Sequence, residues 1–275
     1  MSTYVISDIH GCYTAFQNML AQVKFDPAKD ELIIAGDMVD RGYENYLMLE
    51  FARKHPENVT FLMGNHDKDF QQHCSFLRFL CENMGVKEDF SNLADVVRKN
   101  NIAYCDGYGT LQKLLNRDEL ELSDVDLTLA DFNAWDKTID GFEYEVKRKI
   151  NNRQYIIVHA GYITPEDFSE RVERLGHYSI HHFNIWAREE AIIEGSRPPA
   201  TIVFGHNPTI NSKSVYYNNG KVFRKTIERT TYINIDCGYV YKTLLKKGNM
   251  AIIRLDDEKV FYLNQRKCRD GVVVI

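Results

Sequence analysis

Positive charge is in short supply in this chain. Its 275 residues carry 34 Lys and Arg against 39 Asp and Glu, for a formal net charge of −5. That balance shows no basic stripe, which argues against a nucleic-acid duplex as a partner. Proline is scarce at 6 residues and glycine modest at 16, which excludes collagen-like and proline-rich disordered chains. No run approaches the roughly 18 consecutive apolar residues of a membrane span. The opening Tyr4-Val5-Ile6 reads as a strand and lacks the basic start and long apolar core of a signal peptide. The six cysteines, Cys12, Cys74, Cys81, Cys105, Cys237 and Cys268, include no C-x-x-C pair and are too few for a disulfide framework. Reduced thiols and a cytoplasmic protein are expected. One difficulty follows from the charge: an acidic protein that handles anions needs a local source of positive charge.

What is present points to an α/β chain. Short apolar runs at Tyr4–Ile6, Glu31–Ala35 and Val59–Met63 predict buried strands. Phe16, Met19, Leu20 and Val23 recur at helical spacing, with Thr14 and Gln17 as an expected capping box. A second helix is expected from about Tyr43 to Lys54, before Pro56. The middle of the chain, about 68–153, reads as a mainly helical insertion in a single domain. It has a turn at Gly107-Tyr108-Gly109 and an acidic stretch from Asp118 to Asp140 taken as a solvated face. Strands return at Tyr155–Val158, Thr201–Phe204, Tyr232–Ile235, Met250–Leu255 and Val260–Leu263.

The informative residues follow the apolar runs. They are Asp8-Ile9-His10-Gly11, Gly36-Asp37-Met38-Val39-Asp40-Arg41-Gly42, Gly64-Asn65-His66-Asp67, His159-Ala160-Gly161 and Gly205-His206-Asn207-Pro208. Ligands of open α/β sheets bind beyond the carboxyl ends of strands, so five such ends on one sheet edge would share one site. Carboxylate and imidazole donors suit a pair of divalent cations such as manganese, iron or zinc. On an extended segment the alternate side chains of Asp8 and His10 would face one ion together. Asp37 could bridge two ions. Taken singly, each piece has a plainer reading: Asp37 or Asp40 as a helix cap, His159 as a core histidine.

Jointly and in order, these motifs resemble the metallophosphoesterase superfamily and its phosphoprotein-phosphatase branch. That branch is marked by D-x-H-G, G-D-x-V-D-R-G, G-N-H-(D/E), H-A-G or H-G-G, and G-H-x-P. Ile235-Asp236-Cys237-Gly238 is similar to its late I-D-x-G segment. Bacterial serine/threonine protein phosphatases and symmetrical diadenosine tetraphosphatases are the nearest likenesses. The resemblance implies a calcineurin-like fold, a four-layer αββα sandwich with two mixed β-sheets. It also implies that Asp8 and His10 hold a first metal, Asp37 bridges, and Asn65, His159 and His206 hold the second. The metals would be manganese, with iron, zinc or cobalt as alternatives. By the same resemblance a metal-held hydroxide attacks phosphorus and His66 protonates the leaving oxygen. Asp40 orients His66, and Arg41 grips phosphate. Trp186-Ala187-Arg188-Glu189 is similar to a W-x-R-E segment, which makes Arg188 a second phosphate ligand. His177, His181 and His182 are expected to line a helix face or the cleft rim.

There are departures. Ser7 replaces a usual Gly, Met63 a frequent Arg, and Asn207 a frequent Thr. Asp106-Gly107-Tyr108-Gly109-Thr110 matches the usual N-G-G-x-x-T only in part. They bear on substrate identity more than on catalysis. The expected activity is hydrolysis of phosphomonoesters, on phosphoserine or phosphothreonine and also phosphotyrosine in proteins. The alternative is a nucleotide hydrolase acting on dinucleoside polyphosphates. A non-catalytic scaffold is disfavoured because all six ligands and His66 are present.

Overall fold

Apolar residues alternate sides along each short strand, and that alternation builds the layers. The computed structural model describes residues 1–102, 109–115 and 125–263. The first sheet has the order β10-β9-β1-β2-β3. It comprises β1 (Thr3–Ile6), β2 (Glu31–Ile34), β3 (Val59–Phe61), β9 (Ala251–Arg254) and β10 (Lys259–Tyr262). Strands β1, β2 and β3 are parallel, and β9 and β10 extend the sheet antiparallel. The second sheet has the order β4-β5-β6-β8-β7, from β4 (Glu145–Ile150), β5 (Arg153–Val158), β6 (Thr201–Phe204), β7 (Phe223–Ile227) and β8 (Thr230–Asn234). Here β5, β6 and β8 are parallel and the edge strands antiparallel.

Val5, Ile33, Ile157, Val203, Ile233 and Ile253 meet between the two sheets. Their neighbours face outward. Tyr4, Ile6, Leu32 and Ile34 pack on one outer helical layer, and Ile156, Val158, Ile202 and Phe204 face the other side. Each fully buried Val, Ile or Leu in such a seam contributes roughly 1.5–3 kcal/mol. The first outer layer holds α1 (Tyr13–Val23), α2 (Asn45–Arg53), α3 (Asn65–Met84), α4 (Leu93–Lys99), α5 (Thr110–Leu115) and α6 (Leu129–Asp140). The other side carries α7 (Pro165–Leu175), α8 (Ile180–Trp186) and α9 (Glu190–Ile193); α10 (Lys242–Leu245) precedes β9. The fold is therefore the expected α/β arrangement of two mixed sheets with helices. No helix among the described residues is long and apolar enough to cross a membrane.

Several expectations change. Helix α1 is capped at Cys12 without a side-chain bond, so Thr14 and Gln17 form no capping box. Thr14 lies inside the first turn, where its N–H and hydroxyl both donate to Glu44. The stretch expected to be helical to 153 ends its helices at Asp140, and β4 follows. Strands β4 and β7 escape a hydrophobic reading because both are edge strands. Their exposed Lys147, Lys149, Arg224 and Lys225 are the charges that keep an edge from pairing with another chain. The described part of the acidic stretch is no purely solvated face: α6 buries Leu129, Phe132, Trp135 and Ile139. Residues 118–124, Asp106, Gly107 and Tyr108 lie outside the described residues. Cys12, Cys74, Cys81 and Cys237 are free thiols.

Candidate active site

The five motif segments do not end on one sheet. Asp8, His10, Asp37, Asn65 and His66 follow β1, β2 and β3; His159 and His206 follow β5 and β6 of the second sheet. The site lies where the carboxyl ends of both sheets meet. Nor do Asp8 and His10 converge by strand alternation. Both are left-handed, at φ 51° and 49°. Asp37, Asp40, Arg41 and His206 are left-handed too, at φ 53°, 70°, 70° and 66°. Such a conformation costs an L-residue about 1–2 kcal/mol. Asp and His tolerate it better than most residues, and clustered strain of this kind marks functional sites. After β1, β2 and β6 the chain thus leaves the strand through a left-handed turn that carries the ligand.

Asp37 is the centre of the cluster and is almost wholly buried, at 1% exposure. His10 Nδ1 donates to the Val39 carbonyl at 2.8 Å, which leaves Nε2 directed at Asp37 Oδ2, 3.6 Å away, and Asp8 Oδ1, 4.0 Å away. From the other side, His159 Nδ1 donates to the Ala35 carbonyl at 2.8 Å. Its Nε2 lies 3.3 Å from Asp37 Oδ1 and 3.2 Å from Asn65 Oδ1. Carbonyl groups that pin the remote ring nitrogen are the usual support for a metal-binding imidazole. His206 Nε2 is buried with no hydrogen-bond partner, while its backbone N–H donates to the Asp8 carboxylate.

Two donor sets share Asp37. His10, Asp37 and His66 each place an atom within 4.8 Å of the others, and so do Asp37, His159 and His206. Asp8 and Asn65 flank them. Lone pairs brought this close need positive charge between them. A proton is one answer: against the effect of burial, Asp37 pushes His159 up to about 10. Burial opposes the Asp37 anion as well, but the charges of His159, His66 and His10 hold its carboxyl well below the usual range. Asp8 goes the other way, up to about 6, because it is buried and faces Asp37. Burial and His159 keep His206 well below the ordinary histidine value, so the ring is held neutral. Oxygen and neutral imidazole donors with an unspent lone pair fit divalent cations of the manganese, iron or zinc type. Gly64 and Gly205 make room for this: a Cβ on either would run into the Asp37 or the Asp8 carboxylate.

The acid pair stands beside this cluster. His66 Nδ1 donates to Asp40 Oδ2 at 2.7 Å, and His66 N–H donates to Asp37 Oδ1 at 3.0 Å. Burial lowers the His66 value, but Asp37 and Asp40 outweigh it and raise it. Asp40 stays below the usual carboxylate range, despite burial, through His66 and Thr110. Arg41 reaches across the cleft, with one terminal nitrogen 2.7 Å from His66 Nε2, the other on His10 Nε2, and Tyr241 under its guanidinium. Arg188 is exposed on the opposite rim and donates to Asn207 Oδ1 at 3.3 Å. It makes no ion pair among the described residues.

Three residues were missed as participants. Thr110, the surviving end of the partial motif, donates to Asp40 Oδ1 from its backbone N–H at 2.6 Å and from its hydroxyl at 2.5 Å. Asp67 is fully buried and accepts the N–H groups of Asp37 at 2.8 Å, Met38 at 3.0 Å and Gly64 at 3.0 Å. Its signal was the acidic last position of the G-N-H-(D/E) motif. Asp236 is buried just past β8, and burial, then Asp8, hold its carboxyl well above the usual range. Its signal was another strand end. His177, His181 and His182 do not act together: His177 bridges His182 at 2.7 Å and Glu190 at 3.1 Å, while His181 stacks on Tyr144.

A symmetrical bis(5'-nucleosyl)-tetraphosphatase of Sodalis glossinidius is 49% identical over 67 residues, 24% of this chain and 24% of that protein. The match thus spans about a quarter of that curated relative's length. A solved structure described as a candidate diadenosine tetraphosphatase superposes with TM-score 0.52 at 16% identity, covering 95% of this chain and 92% of that one. A protein serine/threonine phosphatase from Saccharomyces cerevisiae gives TM-score 0.51 at 15% identity, covering 95% and 78%. These two likenesses are of fold. The Calcineurin-like phosphoesterase family model matches residues 1–235, five strand ends of the site included, and the chain belongs to that family of metal-dependent phosphoesterases.

Proposed function

We propose that the protein hydrolyses a phosphate ester or anhydride, with Asp8, His10, Asp37, Asn65, His159 and His206 holding two divalent cations, manganese by preference. The observation that carries this is the convergence of His10 and His159 on opposite oxygens of Asp37, each with its remote nitrogen pinned on a carbonyl. Cations bound there supply Lewis acidity: a water of lowered pKa and neutralisation of phosphoryl charge. The chain supplies the rest. Arg41 presents a planar fork to the phosphate oxygens. As that fork turns to the substrate it leaves His66 Nε2, which can then carry the proton that the leaving oxygen takes. Asp40 holds Nδ1 and keeps the ring in place, and Arg188 serves the far rim.

Two substrate readings follow. The intact V-D-R-G and the G-H-N-P segment favour phosphomonoesters on serine or threonine of proteins. The name of the Sodalis relative favours a dinucleoside polyphosphate. The test is a parallel assay of manganese-loaded full chain on phosphopeptides and on diadenosine tetraphosphate. Much faster turnover of the dinucleotide would replace the first reading with the second. No turnover of either, with metal bound, would overturn both.

A further inference from the structure

We propose that Lys113 is a positioning residue for Arg41, acting through the backbone of the Arg41–Gly42 turn. This builds on the reading of Arg41 as the phosphate grip. Asp40 and Arg41 are consecutive left-handed residues, both at φ 70°. Asp is at ease there; Arg, with no short polar side chain to hold its own backbone, is not. Left to itself the turn would relax, and the guanidinium would swing away from the site with it.

Lys113 opposes that relaxation. It lies on the short helix α5, is only 6% exposed, and donates from Nζ to the Arg41 carbonyl at 2.7 Å and the Gly42 carbonyl at 2.7 Å. The Tyr43 ring covers the ammonium, 4.5 Å from ring centre to Nζ. Asn45 Nδ2 adds a second donor to Gly42 at 2.9 Å. On its other side the turn is wedged against the backbone of His10 and Gly11, where a Cβ on Gly42 would collide. One helix thus holds the whole arm: Thr110 fixes the Asp40 carboxylate and Lys113 fixes the next two carbonyls. A methionine of similar length would fill the same space without the desolvation cost of a buried ammonium. Retaining the charge there points to a task for it, and Nζ is aimed at backbone carbonyls, so that task runs through Arg41.

The test uses inorganic phosphate as a competitive inhibitor of the metal-loaded full chain. K113M should raise the inhibition constant about tenfold, the lower range for a charge-assisted hydrogen bond. Bound metal should be unchanged. In an R41A background K113M should add less than about twofold, because coupled residues lose additivity. K113Q, which keeps a donor, should fall between, and it carries the same comparison if K113M does not fold. An equal effect in both backgrounds would overturn the proposal. So would no effect of K113M where R41A alone weakens phosphate. An inhibition constant unmoved by R41A would overturn the Arg41 assignment and this proposal with it.

Discussion

Asp40→Asn removes the charge that orients His66. The Asp40 carboxylate takes the His66 Nδ1 proton at 2.7 Å and two Thr110 donors, with side-chain exposures of 16% for Asp40 and 20% for His66. The amide keeps the shape and one acceptor but loses the charge. A charge-assisted bond this well shielded is worth about 1.5–3 kcal/mol. At 1.4 kcal/mol per factor of ten, kcat on an unactivated phosphate ester should fall roughly 10- to 100-fold. Nitrophenyl phosphate, whose leaving group departs without a proton, should lose far less. The pH profile carries a sign. Asp40 helps raise His66 above the ordinary histidine value of 6.5, so removing its charge lowers it again. The alkaline limb of kcat should therefore move to lower pH. Stability follows the same linkage. The Asp40 contribution is present above its unfolded value near 3.8 and is lost as pH falls through its lowered folded value. The His66 contribution is present below 6.5 and is lost as pH rises through its raised folded value. The variant should thus be most destabilised between about pH 4 and 6.5. Equal losses on both substrates with an unmoved alkaline limb would refute the reasoning.

Four further outcomes are expected. Asp67→Asn leaves one oxygen to accept what two now share from three N–H groups, and should lower unfolding free energy by about 2–4 kcal/mol by denaturant titration. Gly64→Ala drives a methyl into the Asp37 backbone and carboxylate, so bound metal should drop below one ion per chain by elemental analysis while the circular dichroism stays α/β. Chelation should abolish activity and lower Tm, and added manganese should restore both. Apparent metal affinity should rise with pH across neutrality, because a cation must displace the proton that His159 holds up to about 10.

The strands that carry ligands were legible because they are short, apolar and followed by Asp, Asn or His. Those bearing no ligand at the edges, β4 and β7, were hidden by their lysines and arginines. The ligand set was legible by residue type, yet the way it converges was not. A D-x-H on an extended strand and one on two left-handed turns look identical as letters. Thr110, Asp67 and Lys113 escaped for a common reason. Their roles are to hold other residues, and that is a property of contacts 3 to 72 positions away in sequence.

The split of the site over two sheets has a mechanical consequence. His206 and Asp8 are 198 positions apart and already joined through one hydrogen-bonded contact. A cation held by Asp37, Asn65, His159 and His206 would span the seam where the sheets pack. It would close a loop of most of the chain, as a distant covalent cross-link would, and the unfolded chain cannot present the same groups together. Slow metal exchange would then report how often the two sheets part at that edge, and a variant that loosens the seam far from the site should speed metal loss before it changes turnover.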